Sequence, residues 1–215
     1  MRAPRIGPLV AAQRARVEEI LRATGAFRDD EVGVALELVD DATGAHPSGD
    51  YVCLAAYAAD DTLAGYACYG ATPGTSGTFD LYWIATDPAL HGAGYGRALL
   101  AAVERAVRDA GGRLVVAETS TRDDYAATRR FYLRAGYVEA ATIADFYAPG
   151  DGRALFTRRV DAARAPAAGR GGMHLTTHGT THGTTHGTAA RGIETDGRTS
   201  NTPTQAPDGR GVAVR

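Results

Sequence analysis

Hydrophobic residues along the first half of the chain predict two helices followed by three strands. A helical period covers residues 10–23, after a short edge strand at Arg5–Leu9, and a second helical period starts near Asp29. Three apolar runs follow, and the turns between them are too short for crossover connections. We therefore expect an antiparallel meander of strands at Tyr51–Ala58, Leu63–Tyr69 and Thr78–Thr86.

In the second half, the pattern predicts alternating helices and strands after Asp87-Pro88 ends the third strand of the meander. Glycines stop both predicted helices, at Gly111-Gly112 and at Gly136. The order predicts an α+β domain, with a mixed, mostly antiparallel sheet of about six to seven strands and helices on both faces. Its remaining elements are a helix at Arg97–Ala110, a strand at Leu114–Ala117, a helix at Tyr125–Arg134 and a hairpin of Tyr137–Tyr147 with Leu155–Val160.

Aromatic residues place the end of this domain near Val160. All ten Tyr, all five Phe and the single Trp lie at or before Phe156, so nothing beyond it can fill a core with large side chains. The segment after Val160 repeats Thr-Thr-His-Gly three times over Thr176–Gly187 and is otherwise rich in Ala, Gly, Thr and Arg. We therefore expect a folded domain over residues 1–160 and a disordered low-complexity tail over residues 161–215.

Charge and composition exclude several classes of protein. The net charge is −2 and every basic residue is Arg, with no dense basic patch for a nucleic acid. No run approaches the roughly 18 apolar residues of a membrane helix, and the first residues lack the pattern of a signal peptide. We therefore expect a cytoplasmic protein without a nucleic-acid or membrane partner, in which Cys53 and Cys68 stay reduced.

A glycine-rich turn, His91-Gly92-Ala93-Gly94-Tyr95-Gly96, joins the third strand of the meander to the next helix. Three glycines at alternate positions let the backbone approach a ligand and direct successive N–H groups at it. The positive end of the helix that follows favours an anion at the same place. The turn therefore predicts a pyrophosphate site, which several cofactors would satisfy.

A dinucleotide-binding Rossmann domain is one interpretation of this turn. Gly92-x-Gly94 follows a strand, and Glu118 lies near the position of the acid that binds the ribose in such domains. The third glycine of that fingerprint is absent, however, and Thr86–Leu90 separate the strand from the turn. A Rossmann domain also opens on its first strand, whereas two helices and a meander precede this turn. The absence of Lys excludes a Walker A loop.

Two segments resemble the GNAT superfamily of N-acetyltransferases. Residues 83–100 are similar to its strand, turn and helix, in which Gln/Arg-x-x-Gly-x-Gly/Ala follows the strand. Residues 128–137 are similar to its later helix, where Phe-Tyr precedes Gly-Phe/Tyr. The resemblance covers about residues 5–160 and implies a GNAT-like three-layer fold that binds acetyl-CoA. The residues that it implies at the cofactor are Ile84, Ala85, Thr86, His91, Gly92, Ala93, Gly94, Tyr95, Gly96 and Arg97.

The same resemblance implies catalytic residues. Tyr132 aligns with the family's tyrosine near the thioester sulfur, the usual general acid, and a phenol can protonate a departing thiolate. Glu118 is the first choice for the general base, because some members place a catalytic Glu at the end of this strand, and Asp80 is the second choice. The chain departs from the family pattern at His91, which replaces the usual Gln or Arg, and in lacking the Asn that often follows the fifth strand.

These residues together predict an acetyl-CoA-dependent N-acetyltransferase that requires no metal. The acetyl group would move to a primary amine of a small molecule or peptide by direct attack in a ternary complex, and a homodimer is compatible with this activity. One alternative is a non-catalytic acyl-CoA-binding or regulatory domain of the same fold. A Rossmann-type NAD-dependent oxidoreductase is the third hypothesis. We expect loops 43–50, 71–77 and 148–153 to select the acceptor.

Overall fold

A computed structural model describes residues 4–160 of the chain. Its sheet has seven strands, and four α-helices accompany it within this range, which confirms the predicted α+β fold class. The strands are β1 (Arg5–Pro8), β2 (Val52–Tyr57), β3 (Leu63–Ala71), β4 (Thr78–Thr86), β5 (Leu114–Ser120), β6 (Val138–Ala148) and β7 (Asp151–Arg159). The helices are α1 (Arg14–Thr24), α2 (Asp29–Thr43), α3 (Tyr95–Asp109) and α4 (Ala126–Arg134).

The strand order is β1-β2-β3-β4-β5-β7-β6, and every neighbouring pair is antiparallel except β4 and β5. Short turns make the antiparallel pairs, whereas helix α3 provides the crossover that a parallel pair needs. A Rossmann domain has a mostly parallel sheet. The sheet of residues 4–160 therefore excludes the oxidoreductase hypothesis.

Two hydrophobic clusters lie on opposite faces of the sheet. One contains the buried residues of α1 and α2, among them Ile20 and Val39, together with Trp83 of β4. The other contains the buried residues of α3 and α4. Alternation along the strands sends successive side chains to the two clusters, which produces the predicted three layers.

Strands β4 and β5 separate halfway along their length. Their Cα pairing begins at Thr78 and Leu114, ends at Leu81 and Ala117, and does not resume although both strands continue. Tyr82 of β4 is skipped in the pairing with β3, and such a β-bulge bends and twists a strand. Beyond it, β4 pairs only with β3 among the described strands, so the edge of β4 that faces the split keeps free backbone hydrogen-bonding groups.

Several element boundaries differ from the sequence prediction, and three of them belong to elements next to the split between β4 and β5 or to the strand beside it. Helix α3 begins at Tyr95 rather than at Arg97, because Gly94 serves as its N-cap. Strand β5 runs to Ser120, and β7 begins at Asp151 because the hairpin turn is tighter than expected. The predicted tail over 161–215 lies outside the described residues. Within residues 4–160 we find no helix that is long and apolar enough to cross a membrane.

Candidate active site

The glycine-rich turn forms the N-terminus of α3. Gly92 and Gly94 have φ angles of 81° and 88°, a left-handed conformation that glycine adopts without strain. A Cβ atom at either position would meet no atom within 4 Å, so the backbone conformation rather than crowding requires glycine there. The first N–H groups of a helix have no partner within it and give its N-terminus a partial positive charge. This geometry suits a pyrophosphate, and the side chain of His91 is exposed.

A short 3₁₀ turn over Pro88–Leu90 leads the chain from β4 to the glycine-rich turn. Asp87 caps it, because one carboxylate oxygen accepts a hydrogen bond from the N–H of Ala89 at 2.8 Å. The other oxygen pairs with Arg16 of α1. The backbone N–H of Asp87 also donates to the carbonyl of Ala64 in β3 at 2.9 Å. These contacts hold the turn beyond the strand end, in line with the split between β4 and β5.

Tyr132 lies in the core on the face of the sheet that carries α3 and α4. Its ring is fully buried and stacks on Phe156, with ring centroids 5.4 Å apart and planes inclined by 26°. Its hydroxyl has no hydrogen-bond partner among residues 4–160. Burial raises the pKa of Tyr132 well above its ordinary value, so the phenol stays protonated at physiological pH.

The ring and the hydroxyl of Tyr132 require separate explanations. Packing against Phe131, Tyr137 and Phe156 accounts for the ring, and a Phe would make the same contacts. Packing does not account for the hydroxyl, because burying it without a partner costs free energy. Unpaired buried polar atoms are rare in folded proteins and mark places where a ligand or water completes the structure.

Glu118 lies on the opposite face of the sheet from Tyr132. It occupies the first position of β5 past the last residue paired with β4, two residues before the strand ends. The prediction that it ends the strand was therefore wrong by two residues. Its side chain is 13% exposed, and Oε2 pairs with Arg153 of β7. The other oxygen, Oε1, is buried and has no partner in the part of the chain that the structure describes.

Arg153 was not identified from the sequence. The last strand was expected to begin at Leu155, which left residue 153 in no element. In the structure, Ser120 and Arg153 are Cα partners, and this register directs the guanidinium along the face that carries Glu118. The guanidinium also lies 4.8 Å from the ring centroid of Phe146. Buried and half-buried residues alternate over Asp151–Thr157, so Arg153 lies inside β7, but the sequence of this segment does not show this alternation.

Asp80 shares the face of Glu118, because it is the Cα partner of Val116, two residues before Glu118 in β5. Burial raises the pKa of the half-buried Asp80 carboxyl, and a hydrogen bond of 2.8 Å from the Thr72 hydroxyl to Oδ2 opposes the shift. The attraction of Arg153 also opposes it. The structure thus brings both candidate carboxylates to one face of the split and places Tyr132 on the other.

Separating Arg153 from Glu118 is expected to destabilise the fold. Arg153→Gln leaves a mostly buried carboxylate without its cation, and we expect a loss of about 1–3 kcal/mol in the free energy of unfolding, measured with urea. The double variant Glu118→Gln/Arg153→Gln should recover most of this loss, because no buried charge remains. If the losses in free energy of unfolding of the two single variants add up in the double variant, Glu118 and Arg153 do not stabilise each other.

Replacing Asp80 with Asn should stabilise the protein at neutral pH. Because the folded-state pKa of Asp80 is raised, the charged carboxylate is disfavoured in the folded state above that pKa. The penalty disappears as the pH falls and the carboxyl is protonated. Asn retains an oxygen that can accept the Thr72 hydrogen bond. Urea unfolding at several pH values should therefore show a gain that shrinks as the pH falls, and a gain independent of pH would contradict the assignment.

A cavity of about 170 Å³ opens where β5 ends, between the α1–α2 connection and the β6–β7 hairpin. Two segments of the wall carry carboxylates, Glu31 and Asp151, and Asp151 accepts a hydrogen bond from the hydroxyl of Ser120. The predicted acceptor loop 148–153 contributes to this cavity, whereas loops 43–50 and 71–77 do not. The lining residues are Ala26, Arg28, Glu31, Ser120, Arg122, Tyr125, Tyr147, Ala148 and Asp151.

The sheet is split at its one parallel pair among the described strands, β4 and β5, and the chain continues from β4 through the glycine-rich turn into α3. This arrangement is typical of an acyltransferase-type fold. The model of the acetyltransferase (GNAT) family matches residues 16–137, more than half of the chain. A GNAT-family protein from Desulfovibrio desulfuricans has 44% sequence identity and a TM-score of 0.69, over 74% of this chain and 99% of that one. The chain belongs to the GNAT acetyltransferase family.

More distant solved structures share the fold. The ribosomal-protein-S18-alanine N-acetyltransferase of Escherichia coli has 18% identity and a TM-score of 0.60, over 75% of this chain and 96% of that one. An acetyltransferase from Salmonella typhimurium, solved with its cofactor acetyl-CoA, has 19% sequence identity and a TM-score of 0.58, over 78% of this chain and 99% of that one. No curated protein matches the chain by sequence.

Proposed function

We propose that the protein is an acetyl-CoA-dependent N-acetyltransferase that acts on a primary amine of a small molecule or peptide in the cytoplasm. The observation that carries this proposal is the split between β4 and β5, at the end of β4 from which the chain continues through the glycine-rich turn into α3. Three features of the chain fit acetyl-CoA: the two left-handed glycines, the unpaired edge of β4 and the unpartnered hydroxyl of Tyr132. Acetyl-CoA supplies an acyl thioester when it binds.

The chain's own groups would bind this co-substrate at two places. The backbone N–H groups of residues 94–97 would face the pyrophosphate at the start of α3, whereas the N–H of Ala93 donates to the carbonyl of Leu90 at 3.3 Å. The edge of β4 at Ile84, Ala85 and Thr86 offers backbone groups to the pantetheine arm, as another strand would. An N–H group at this edge can polarise the thioester carbonyl. Binding therefore depends on backbone geometry more than on the identity of His91.

The two faces of the split would serve the two sides of the reaction. Glu118, with Asp80 beside it, lies where an acceptor amine would approach, and a carboxylate there can accept a proton from the ammonium. Tyr132 lies on the opposite face, holds its proton, and can donate it to the departing thiolate. In direct attack within a ternary complex, the carboxylate would take the proton of the amine and the phenol would protonate the thiolate, with no acyl-enzyme.

Calorimetry and a thiol-release assay test this proposal. Titration with acetyl-CoA should give a single binding event, and its absence would overturn the proposal. Release of free thiol is then followed with a panel of primary amines, which includes aminoglycosides and peptides with N-terminal alanine because structurally similar acetyltransferases are named for such acceptors. Binding without thiol release for any amine would favour the non-catalytic acyl-CoA-binding domain instead.

A further inference from the structure

Thr119 of β5 is fully buried, and its hydroxyl has no hydrogen-bond partner among the described residues. A Val at this position would have nearly the same shape and would bury no polar atom. An unpartnered buried hydroxyl costs free energy, so its presence in a strand needs a reason. The neighbouring hydroxyls do have structural roles: Ser120 donates to Asp151, and Thr121 accepts from the N–H of Gly152 at 2.7 Å.

Strand register places Thr119 next to the split on the same face as Tyr132. Thr119 lies two residues past Ala117, the last residue of β5 that is paired with β4. Its Cα partner in β7 is Ala154, which belongs to the same hydrophobic cluster as Tyr132. Ala117 in turn is the Cα partner of Phe156, the ring that stacks on Tyr132. The buried hydroxyls of Thr119 and Tyr132 thus lie on one face without partners among the described residues, and Thr119 lies where β4 no longer covers β5.

We infer that the Thr119 hydroxyl is a positioning group for the pantetheine end of acyl-CoA, a role that rests on the proposed function. At Thr119, one edge of β5 is paired with β7, and the edge towards β4 is paired with no described strand. A pantetheine arm that enters the split would bring its amide and thioester groups to this open edge. A Thr hydroxyl can donate to a carbonyl oxygen or accept from an amide N–H. The free energy lost by burying it unpaired is then recovered when the co-substrate binds.

Thr119→Val is expected to weaken the binding of coenzyme A without destabilising the ligand-free protein. Thr119→Val removes the hydroxyl and keeps the side-chain volume, so the ligand-free protein should be as stable as the unmodified protein or more stable. Its dissociation constant for coenzyme A should rise roughly three- to tenfold, the loss of one hydrogen bond. Thr119→Ser keeps a hydroxyl and should retain most of the affinity. Thermal unfolding and calorimetry measure these two quantities.

Two controls separate positioning from general damage. ADP carries the pyrophosphate without the pantetheine arm, so Thr119→Val and the wild-type protein should bind ADP with the same affinity. Thr121→Val removes a hydroxyl with a structural hydrogen bond, and it should lower the melting temperature while leaving the affinity for coenzyme A unchanged. The two valine variants therefore have opposite expected profiles.

The possible outcomes are distinct. If the unmodified protein fails to bind coenzyme A, both the proposed function and this inference are overturned. If it binds coenzyme A and Thr119→Val binds equally well, only the inference is overturned. A fall in melting temperature at Thr119→Val with unchanged affinity would also overturn it, since the hydroxyl would then have a structural partner. Weaker coenzyme A binding with unchanged ADP binding and undiminished stability would support it.

Discussion

Replacing Tyr132 with Phe is expected to lower the turnover number for acetyl transfer by about a hundredfold or more, the usual contribution of a general acid. The ring keeps its contacts with Phe131, Tyr137 and Phe156, because Phe has the same shape. The stability of the ligand-free protein should not fall, because the deleted hydroxyl has no partner. The measurement is the rate of thiol release at saturating acetyl-CoA and amine, together with the affinity for acetyl-CoA.

Tyr66 offers a matched control for this variant. It is also fully buried and its hydroxyl is also unpartnered, but it lies in the hydrophobic cluster on the other face, with α1 and α2. Tyr66→Phe should therefore leave turnover close to that of the unmodified protein. If both variants lose activity equally, the loss reflects disturbed packing; if Tyr132→Phe keeps full turnover, Tyr132 is not the acid.

Replacing Gly94 with Val is expected to raise the dissociation constant for acetyl-CoA by about tenfold or more. A β-branched residue is strained at a φ of 88°, so the backbone must rotate and the N–H groups at the start of α3 lose their common direction. We also expect a loss of about 1–2 kcal/mol in stability from this strain. Calorimetry with acetyl-CoA and with ADP measures the effect on affinity. The binding of both ligands should be weakened, because both carry a pyrophosphate.

Gly111 provides the control at the opposite end of the same helix. It follows α3, its φ is 78°, and a Cβ there would also meet no atom within 4 Å. Gly111→Val should therefore cost a similar free energy of unfolding while the affinity for acetyl-CoA stays unchanged. Equal affinity losses in the two variants would show that the glycine-rich turn has no specific part in binding.

The strands and the helices could be predicted from the sequence because local periodicity and glycine punctuation determine them. The amphipathic period of α3 and the apolar run of β4 each depend on residues close together in the chain. The glycine-rich turn is equally local: its left-handed residues are glycines, and its place before a helix already implies an anion site. The element order argued against a Rossmann domain, and the mostly antiparallel pairing of the sheet excluded it.

The sites at the split depended on register, which local patterns do not determine. The sequence could indicate Tyr132 and Glu118 as candidates only through a family resemblance. It could not show that the sheet separates them, because a shift of one residue in pairing sends every side chain to the other face. Arg153 was missed for the same reason, since its position opposite Ser120 depends on where the β6–β7 hairpin turns.

The sequence by itself thus determined the order of elements, the α+β class and the glycine-rich turn before α3, all of which depend on neighbouring residues. Only the tertiary structure decided where β4 leaves β5, which carboxylate is paired with an arginine, and that the hydroxyls of Thr119 and Tyr132 are buried on the same face of the sheet without partners. These features arise from contacts between residues far apart in the chain. Their positions are set by strand register and burial, which exist only once the sheet has formed.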